Sequence, residues 1–449
     1  MGRVRPTTKA QVSGHKFLMR RVELGLLVGD IRMIHDPIAA RMRATVFGLA
    51  ATVLLCLGAG ALALLQPQRD PGDALVLASE HGQLYVRQEQ TLFPVPNLTS
   101  ARLIVGQPAQ PAKVSHKVLQ RYQVAQPVGI VDAPNILAPS DAALGWAVCT
   151  DQQPRPRTDS QAPVVLAQRQ IDRTGEDFAE FLTDLGPHQA IYATVASGDY
   201  LVTAHGRFLL PAADTDHGRM LRRALQIPIA SQHWSPPEEI LATIPEEPAL
   251  HIPQHGQLWN TDAGPFWFTD TGATQISTFQ ADLLRAAGLE QRFVSAAELA
   301  ATSVGTDELP LPTEAPSWAP ATGVCVLAEP ESPPAQDLGA LPTPGGSKVR
   351  VSIADVARRP LDQGAVALHG GQVATHFAAV GQAVAVATGN GVHVVSEHGQ
   401  RHRVDLDMLS ALGIEQVHHI PWPMLALLPE GTELSTAEAL RPLMDKSAA

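Results

Sequence analysis

Residues 44–65 read "ATVFGLAATVLLCLGAGALALL", 22 consecutive residues without a charge. No other stretch restricts the fold as strongly. As an α-helix rising about 1.5 Å per residue it extends roughly 33 Å, the depth of a bilayer's hydrocarbon core. Two other readings of such a stretch are a buried core helix and a cleaved signal peptide. A core helix of 22 uncharged residues would need apolar surroundings on every side. "ALA" at Ala61–Ala63 resembles a cleavage site, but the basic region ahead of it is some forty residues long and the apolar run exceeds a signal core. The stretch is expected to be an uncleaved membrane anchor. Residues 1–43 carry nine Lys/Arg and three Asp/Glu, a net of +6, with Arg41 and Arg43 directly ahead of the apolar run. The positive-inside rule then puts the N-terminus in the cytoplasm and residues 66–449 across the membrane. Those later residues hold 24 basic and 41 acidic groups, a net of −17, which argues against a nucleic-acid partner.

The leader contains "QVSGHKFLMRRVELGLLVGDIRMIHDP", which is expected to form a helix capped by Ser13 and ended by Pro37. Leu18, Val22, Leu26 and Met33 recur near helical spacing, and Lys16, Arg20 and Arg21 give it a basic side. Such a helix can lie on anionic lipid or dock on a cytoplasmic partner. Gly25 and Gly29 lower its intrinsic stability, so it is expected to draw stability from a partner.

Beyond the anchor, one pattern recurs four times. Val86 is followed four residues later by Gln90, Val202 by Gly206, Phe268 by Gly272 and Val395 by Gly399. Each of these sites lies between two short β-favouring runs, as in a tight hairpin where Gly supplies positive φ. A helical stretch follows each: "TSARLIVG", "HGRMLRRALQIP", "TFQADLLRAAG" and "DLDMLSALG". Three of them close on a glycine (Gly106, Gly288, Gly413), as helix C-termini favour, and the second closes on Ile227-Pro228. A further echo, "TIPEEPAL", "TSVGTDEL" and "LLPEGTEL", adds a second short arm. The copies start near residues 84, 200, 266 and 392, too unevenly for a regular solenoid. The longer gaps, about 107–190 and 310–385, must hold something else. They also hold the cysteines that lie outside the anchor, Cys149 in "GWAVCT" and Cys325 in "TGVCVL". Their similar strand contexts suggest one bridge within a central domain built from both gaps; two unpaired buried thiols are the alternative.

These features together resemble a known family, the EccB membrane components of actinobacterial type VII secretion systems. The most specific stretches are "TTKAQVSGHKFLMRRVELGLLVGDIRMIHDP" before a single anchor and "LFPVPNLTSARLIVG" after it, and the "PEGTEL" ending also fits. The resemblance covers nearly the whole chain. It implies a single-pass inner-membrane protein with a large periplasmic region, in which four repeats surround a central β-domain joined by a disulfide. It also implies self-association and assembly with EccC, EccD, EccE and the mycosin protease. The chain departs from the pattern at Gln90, where the first turn lacks glycine, and in the Ala- and Gly-rich stretch before the fourth copy.

Enzymatic signatures are few. "WFTDTGA" contains Asp270-Thr271-Gly272, the aspartic-protease triplet, but that chemistry needs two carboxylates sharing a proton and no second Asp-Thr-Gly exists in the chain. The triplet also falls at the third copy's turn. Members of the resembled family have been labelled ATPases, yet the sequence has no G-x-x-x-x-G-K-[ST]. The nearest piece, "PTPGGSKVR" at Pro342–Arg350, has the wrong spacing and no strand before it. Of the seventeen histidines, His418-His419 and the pair His398 and His402 stand close, without the spacing of a zinc site. No catalytic, cofactor or metal-ligand set is therefore assigned. Asn97-Leu98-Thr99 is a formal glycosylation sequon that reads more simply as a helix cap.

The expected architecture is α+β: a cytoplasmic amphipathic helix (1–43), a transmembrane helix (44–65) and an elongated periplasmic region. That region opens with repeat 1 (66–106) and the first segment of the central β-domain (107–190). Repeat 2 (191–255) and repeat 3 (256–310) follow. The second segment of the central β-domain, with a Pro-rich linker (311–385), and repeat 4 with the C-terminal tail (386–449) complete it. The expected role is structural, as a core subunit of a secretion complex. A membrane-anchored periplasmic hydrolase or ATPase and a cell-wall-binding anchor are the rival classes.

Overall fold

The computed structural model describes residues 7–29, 37–65, 71–134, 144–151, 164–170, 182–229, 232–321, 323–328, 348–354, 365–370, 373–378, 381–415 and 417–443. The chain forms two compact units, Met1–Arg69 and Asp70–Ala449.

The first unit is helical. The leader helix runs Lys9–Val28. Its cap is Thr8, not Ser13: the Thr8 hydroxyl accepts from the Gln11 amide at 3.4 Å, and the Gln11 side chain accepts from the Thr8 amide at 3.0 Å. This reciprocal capping box satisfies two amides at once, which Ser13 could not do from inside the helix. The C-terminal end also differs from expectation. Gly29 adopts φ 73° and ends the helix there, so it terminates the helix instead of weakening its interior. A second helix, Pro37–Leu65, contains the anchor and starts earlier than residue 44, because Pro37 is tolerated in a first helical turn and "IAARMRA" continues it without a break. Its apolar window, Met42–Ala61, has a mean hydropathy of 2.0 and no residue buried in protein. Cys56, in that window, is exposed.

Among the described residues the second unit holds five sheets. Four are small, and each starts as a three-stranded antiparallel meander. The strands are Val76–Ala78, Leu84–Gln88 and Thr91–Val95 in the first. In the second they are Gln189–Val195, Gly198–Val202 and Arg207–Leu209. The third has Gln257–Thr261, Gly264–Thr269 and Gly272–Gln275, and the fourth Val384–Thr388, Gly391–Val395 and Arg401–Val404. A helix follows each meander: Leu98–Val105, Asp216–Ala224, Thr278–Ala286 and Leu406–Leu412. Asn97, Thr215 and Ser277 cap the first three by accepting a backbone amide. The chain then returns to each sheet in parallel, first beside the opening strand and then beside the third, and it reaches the second sheet's opening strand once more at Ser317–Trp318. In the first sheet these returns are Ala112–Lys113 and Gln123–Val124. Residues 107–134, expected in the central domain, therefore lie with the first sheet.

The seven-stranded sheet has the order Val366–Ala367, His376–Ala378, Val164–Gln170, Leu144–Asp151, Gly323–Ala328, Val349–Ala354 and Leu182–Asp184. It interleaves two distant stretches of chain, 144–184 and 323–378. On one face Trp146, Val148, Val324, Val326 and Val351 share a core with the second sheet (Ile191, Trp234, Ile240) and the fourth (Val386, Met424, Leu425). The buried Trp234 indole donates to the Thr150 hydroxyl at 2.9 Å, which pins the second sheet to the seven-stranded one. The third sheet packs on the second through Leu283 and Leu284 against Leu221 and Leu225.

Candidate functional site

At the four turns singled out by the sequence, backbone geometry divides them. Gly272 (φ +136°) and Gly399 (φ +82°) have the positive φ expected of a hairpin glycine. Gly206 does not, which corrects the expectation that its role is a left-handed turn. Its role is steric: a Cβ there would meet Glu247 Cγ at 2.6 Å, where the returning strand crosses. In the first turn Glu89, not Gln90, takes the positive φ, at 52°. The second helix likewise ends on a left-handed Gln226 in the place that glycine takes elsewhere.

Cys149 and Cys325 are directly opposite on adjacent antiparallel strands, 4.1 Å apart at Cα, and form a disulfide. Both are buried in a small cluster with Ala147, Leu182 and Leu327. Of the Asp270-Thr271-Gly272 triplet, Asp270 and Thr271 form an exposed turn and Gly272 is buried where the next strand begins. The chemistry at the turn is local: the hydroxyls of Thr269 and Thr271 donate to Asp307 at 2.5 and 2.8 Å and hold that carboxyl below the usual range. Asn97 is buried, accepting from the Ser100 amide at 2.8 Å and donating to the Ile130 carbonyl at 2.6 Å, so its amide is closed to glycosylation. Among the described residues no group of three metal-ligating side chains converges. Only Lys348, Val349 and Arg350 of the "PTPGGSKVR" piece lie within the described residues.

On the leader helix Lys16 and Arg20, one turn apart, share a stripe with Lys9, whereas Arg21 lies about 100° further round. The basic side is thus split, not single as the sequence suggested. Leu18, Met19, Val22 and Leu26 form a separate stripe, and all four are exposed. Nothing within this helix can bury such a stripe; it needs a surface to lie on.

A joint between the first and fourth sheets escaped the sequence altogether. The helix Leu98–Val105 packs on Leu406–Leu412 and on Thr436–Ala439, with Leu103 and Ile130 in one core with Val394, Leu409 and Leu412. Arg102 donates to the Leu412 carbonyl at 2.7 Å across 310 residues of sequence. Thr436 donates to the Leu103 carbonyl at 3.0 Å, and Asp132 accepts from the amide and hydroxyl of Thr432 at 2.9 and 3.1 Å. Nothing in "SARLIVG" marks Arg102 as buried, because its partner is a main-chain carbonyl that no local pattern identifies. His402 was legible to a degree. In "RHRV" it shares a face with Val404, and a period of two would have placed it inward.

The family profile described as "Type VII secretion system ESX-1, transport TM domain B" matches residues 4–443. Among curated relatives, the ESX-1 secretion system ATPase EccB1 of Mycobacterium tuberculosis H37Rv is 34% identical over 231 residues, 51% of this chain and 46% of the relative. The ESX-3 secretion system ATPase EccB3 of the same strain is 33% identical over 211 residues, 46% of this chain and 38% of the relative. The matched segments therefore span less than half the length of those relatives. Two solved structures share the fold. A chain of an intact ESX-5 inner membrane complex superposes with a TM-score of 0.66 at 22% identity, covering 98% of this chain and 96% of that one. A chain of the EccB3 dimer from the ESX-3 core complex gives 0.65 at 22% identity, covering 82% and 100%. With a profile match that takes in leader, anchor and sheets alike, the chain belongs to the EccB family of type VII secretion proteins.

Proposed function

We propose that this protein is a structural subunit of a type VII secretion membrane complex, held by one membrane-crossing helix. In this reading residues 1–43 lie in the cytoplasm and 66–449 across the membrane, where they self-associate. The body comprises four strand–turn–strand–helix repeats around a central β-domain closed by the Cys149–Cys325 bridge. The common order of elements in the four small sheets supports that division. The leader helix docks on a cytoplasmic surface through Lys16, Arg20 and Arg21, with anionic lipid as the competing occupant. EccC, EccD, EccE and the mycosin protease are the proposed partners.

The observation that carries this reading is the continuity of the match: one profile spans residues 4–443, so the leader and the body belong to one design. The ATPase reading draws on the names of the relatives. Against it, the sequence lacks a P-loop anywhere in its 449 residues. Purification of the tagged chain from native membranes, followed by mass spectrometry, tests the proposal. The other Ecc components should be recovered with it. Recovery of the chain alone, together with nucleotide hydrolysis by that material, would overturn it. A reporter active only outside the cytoplasm should be active when fused after Ala449 and silent at the N-terminus.

A further inference from the structure

The joint between the first and fourth sheets has one titratable base at its centre. His402, on the third strand of the fourth sheet, is fully buried. Its Nδ1 lies 2.8 Å from the Thr432 carbonyl oxygen. A carbonyl only accepts, so Nδ1 carries the ring's proton and Nε2 is left as the acceptor of the neutral form. Nε2 is buried and has no hydrogen-bond partner among the described residues. Gly431 lies directly against the ring: a Cβ at that position would stand 2.3 Å from Cε1 and 2.8 Å from Nε2. The amide and hydroxyl of Thr432, whose carbonyl His402 holds, both donate to Asp132, which arrives from the first sheet's side. One relay, His402 to Thr432 to Asp132, thus crosses the joint.

The charged groups facing the ring are the carboxylates of Asp132 and of Glu397 in the preceding hairpin turn. Its strand neighbours Arg401 and Arg403 point to the opposite face. Burial disfavours the charged ring more than the Thr432 carbonyl and the two carboxylates favour it, so His402 stays neutral below its ordinary range. A second proton would make Nε2–H a donor with nothing to receive it. Asp132 responds to pH in the same sense but only in the carboxylate range: burial raises its pKa, and the Thr432 bonds outweigh that and hold it below the usual carboxylate range.

We propose that this joint is an acid-released latch, in which protonation of His402 frees the Thr432–Asp132 clasp and parts the first sheet from the fourth. Opening hydrates the ring and returns it to its ordinary pKa near 6.5. The open form then takes up a proton that the closed form refuses, so opening is favoured as pH falls below about 6.5. Between about pH 7.5 and 5.5 this single group raises the opening equilibrium by up to about tenfold, the limit set by titration of the open form. The physiological use of such a latch rests on the body lying outside the cytoplasm, as proposed above; its physical test does not.

Hydrogen exchange by mass spectrometry on the full chain in detergent, at those two pH values and corrected for intrinsic exchange rates, reads the latch directly. Peptides containing the amides of Gly129, Thr432 and Leu443, which bond across the joint, should lose protection by up to about tenfold at the lower pH. Peptides around Leu258 and Val294 in the third sheet should keep theirs. His402→Gln should abolish the pH dependence at the joint. Asp132→Asn, which retains an acceptor for Thr432 and leaves the histidine in place, should preserve it. Equal protection of the wild-type joint at both pH values overturns the proposal, whether or not either variant folds. So does an undiminished pH dependence in His402→Gln, or a loss of protection that spreads uniformly over all five sheets.

Discussion

Gly272 is confined twice. Its φ of +136° is one that L side chains rarely adopt, and a Cβ there would stand 2.3 Å from the Ser303 carbonyl oxygen. Gly391 has φ +107° with no atom close by. The pair separates backbone strain from crowding. Gly391→Ala should cost about 1 kcal/mol and Gly272→Ala about 2–4 kcal/mol, read as shifts in the denaturation midpoint. Equal costs would show that the Ser303 segment moves aside freely. His393 and His418 give a second residue-level expectation. Both are buried and held down to about 4, His393 by burial and then by Arg401 and Arg403, His418 by burial and then by His419. Each is neutral in the fold but takes up a proton near 6.5 when unfolded. Their contribution to stability is therefore fully present above about pH 6.5 and is lost as pH falls toward 4, by up to about 3 kcal/mol each. The melting temperature of the intact chain should drop across that window, and His393→Phe should reduce the drop.

Elements differ in how far the sequence announces them. The meanders and their helices follow alternation and capping residues that a local window contains, as at Asn97 and Ser277. The returning strands do not. Ala112–Lys113, Gln123–Val124 and Glu246–Glu247 are two residues each, too short to carry a period, and exist only because a sheet edge is there to receive them. The extent of the first sheet, and with it the boundary at residue 106, was invisible for that reason. So was the joint, whose contacts are made by main-chain carbonyls and by residues some three hundred positions apart. The leader helix was legible as a helix, but its start was misjudged because the hydrophobic pattern begins after the capping box. A peptide spanning Thr8–Gly29 should be only marginally helical in water by circular dichroism, because an isolated helix of about this length lacks the tertiary burial that stabilises helices in proteins. Full helicity in buffer alone would remove the reason to expect a docking surface. In the intact protein, changing Arg20 and Arg21 to Glu should leave the membrane-inserted chain stable while reducing recovery of the partners proposed for it. Unchanged recovery would restrict the leader to setting topology.

Taken whole, residues 70–449 are stitched by long-range ties more than by local ones. The disulfide spans a sequence separation of 176 residues. In the chain-entropy model, closing a loop of that length contributes about 5 kcal/mol. Cys149→Ser should lower the stability of the non-reduced protein by up to that amount, with the seven-stranded sheet losing hydrogen-exchange protection before the third sheet does. Alkylation of both thiols in unreduced protein would show that the bridge does not form. The joint between the first and fourth sheets is a tie of another kind, and it bears on how the chain is made. Arg102 is synthesised 310 residues ahead of the carbonyl that receives it. At about 5–20 residues per second the first sheet waits roughly 15–60 s for its cover. Through that interval the side of the helix that will hold Leu103 has no counterpart, and Cys149 likewise precedes its partner. The earliest-made sheet is thus covered only at the end of synthesis, and a nascent chain stalled anywhere before the fourth sheet presents an unfinished apolar face to whatever chaperone or protease reaches it first.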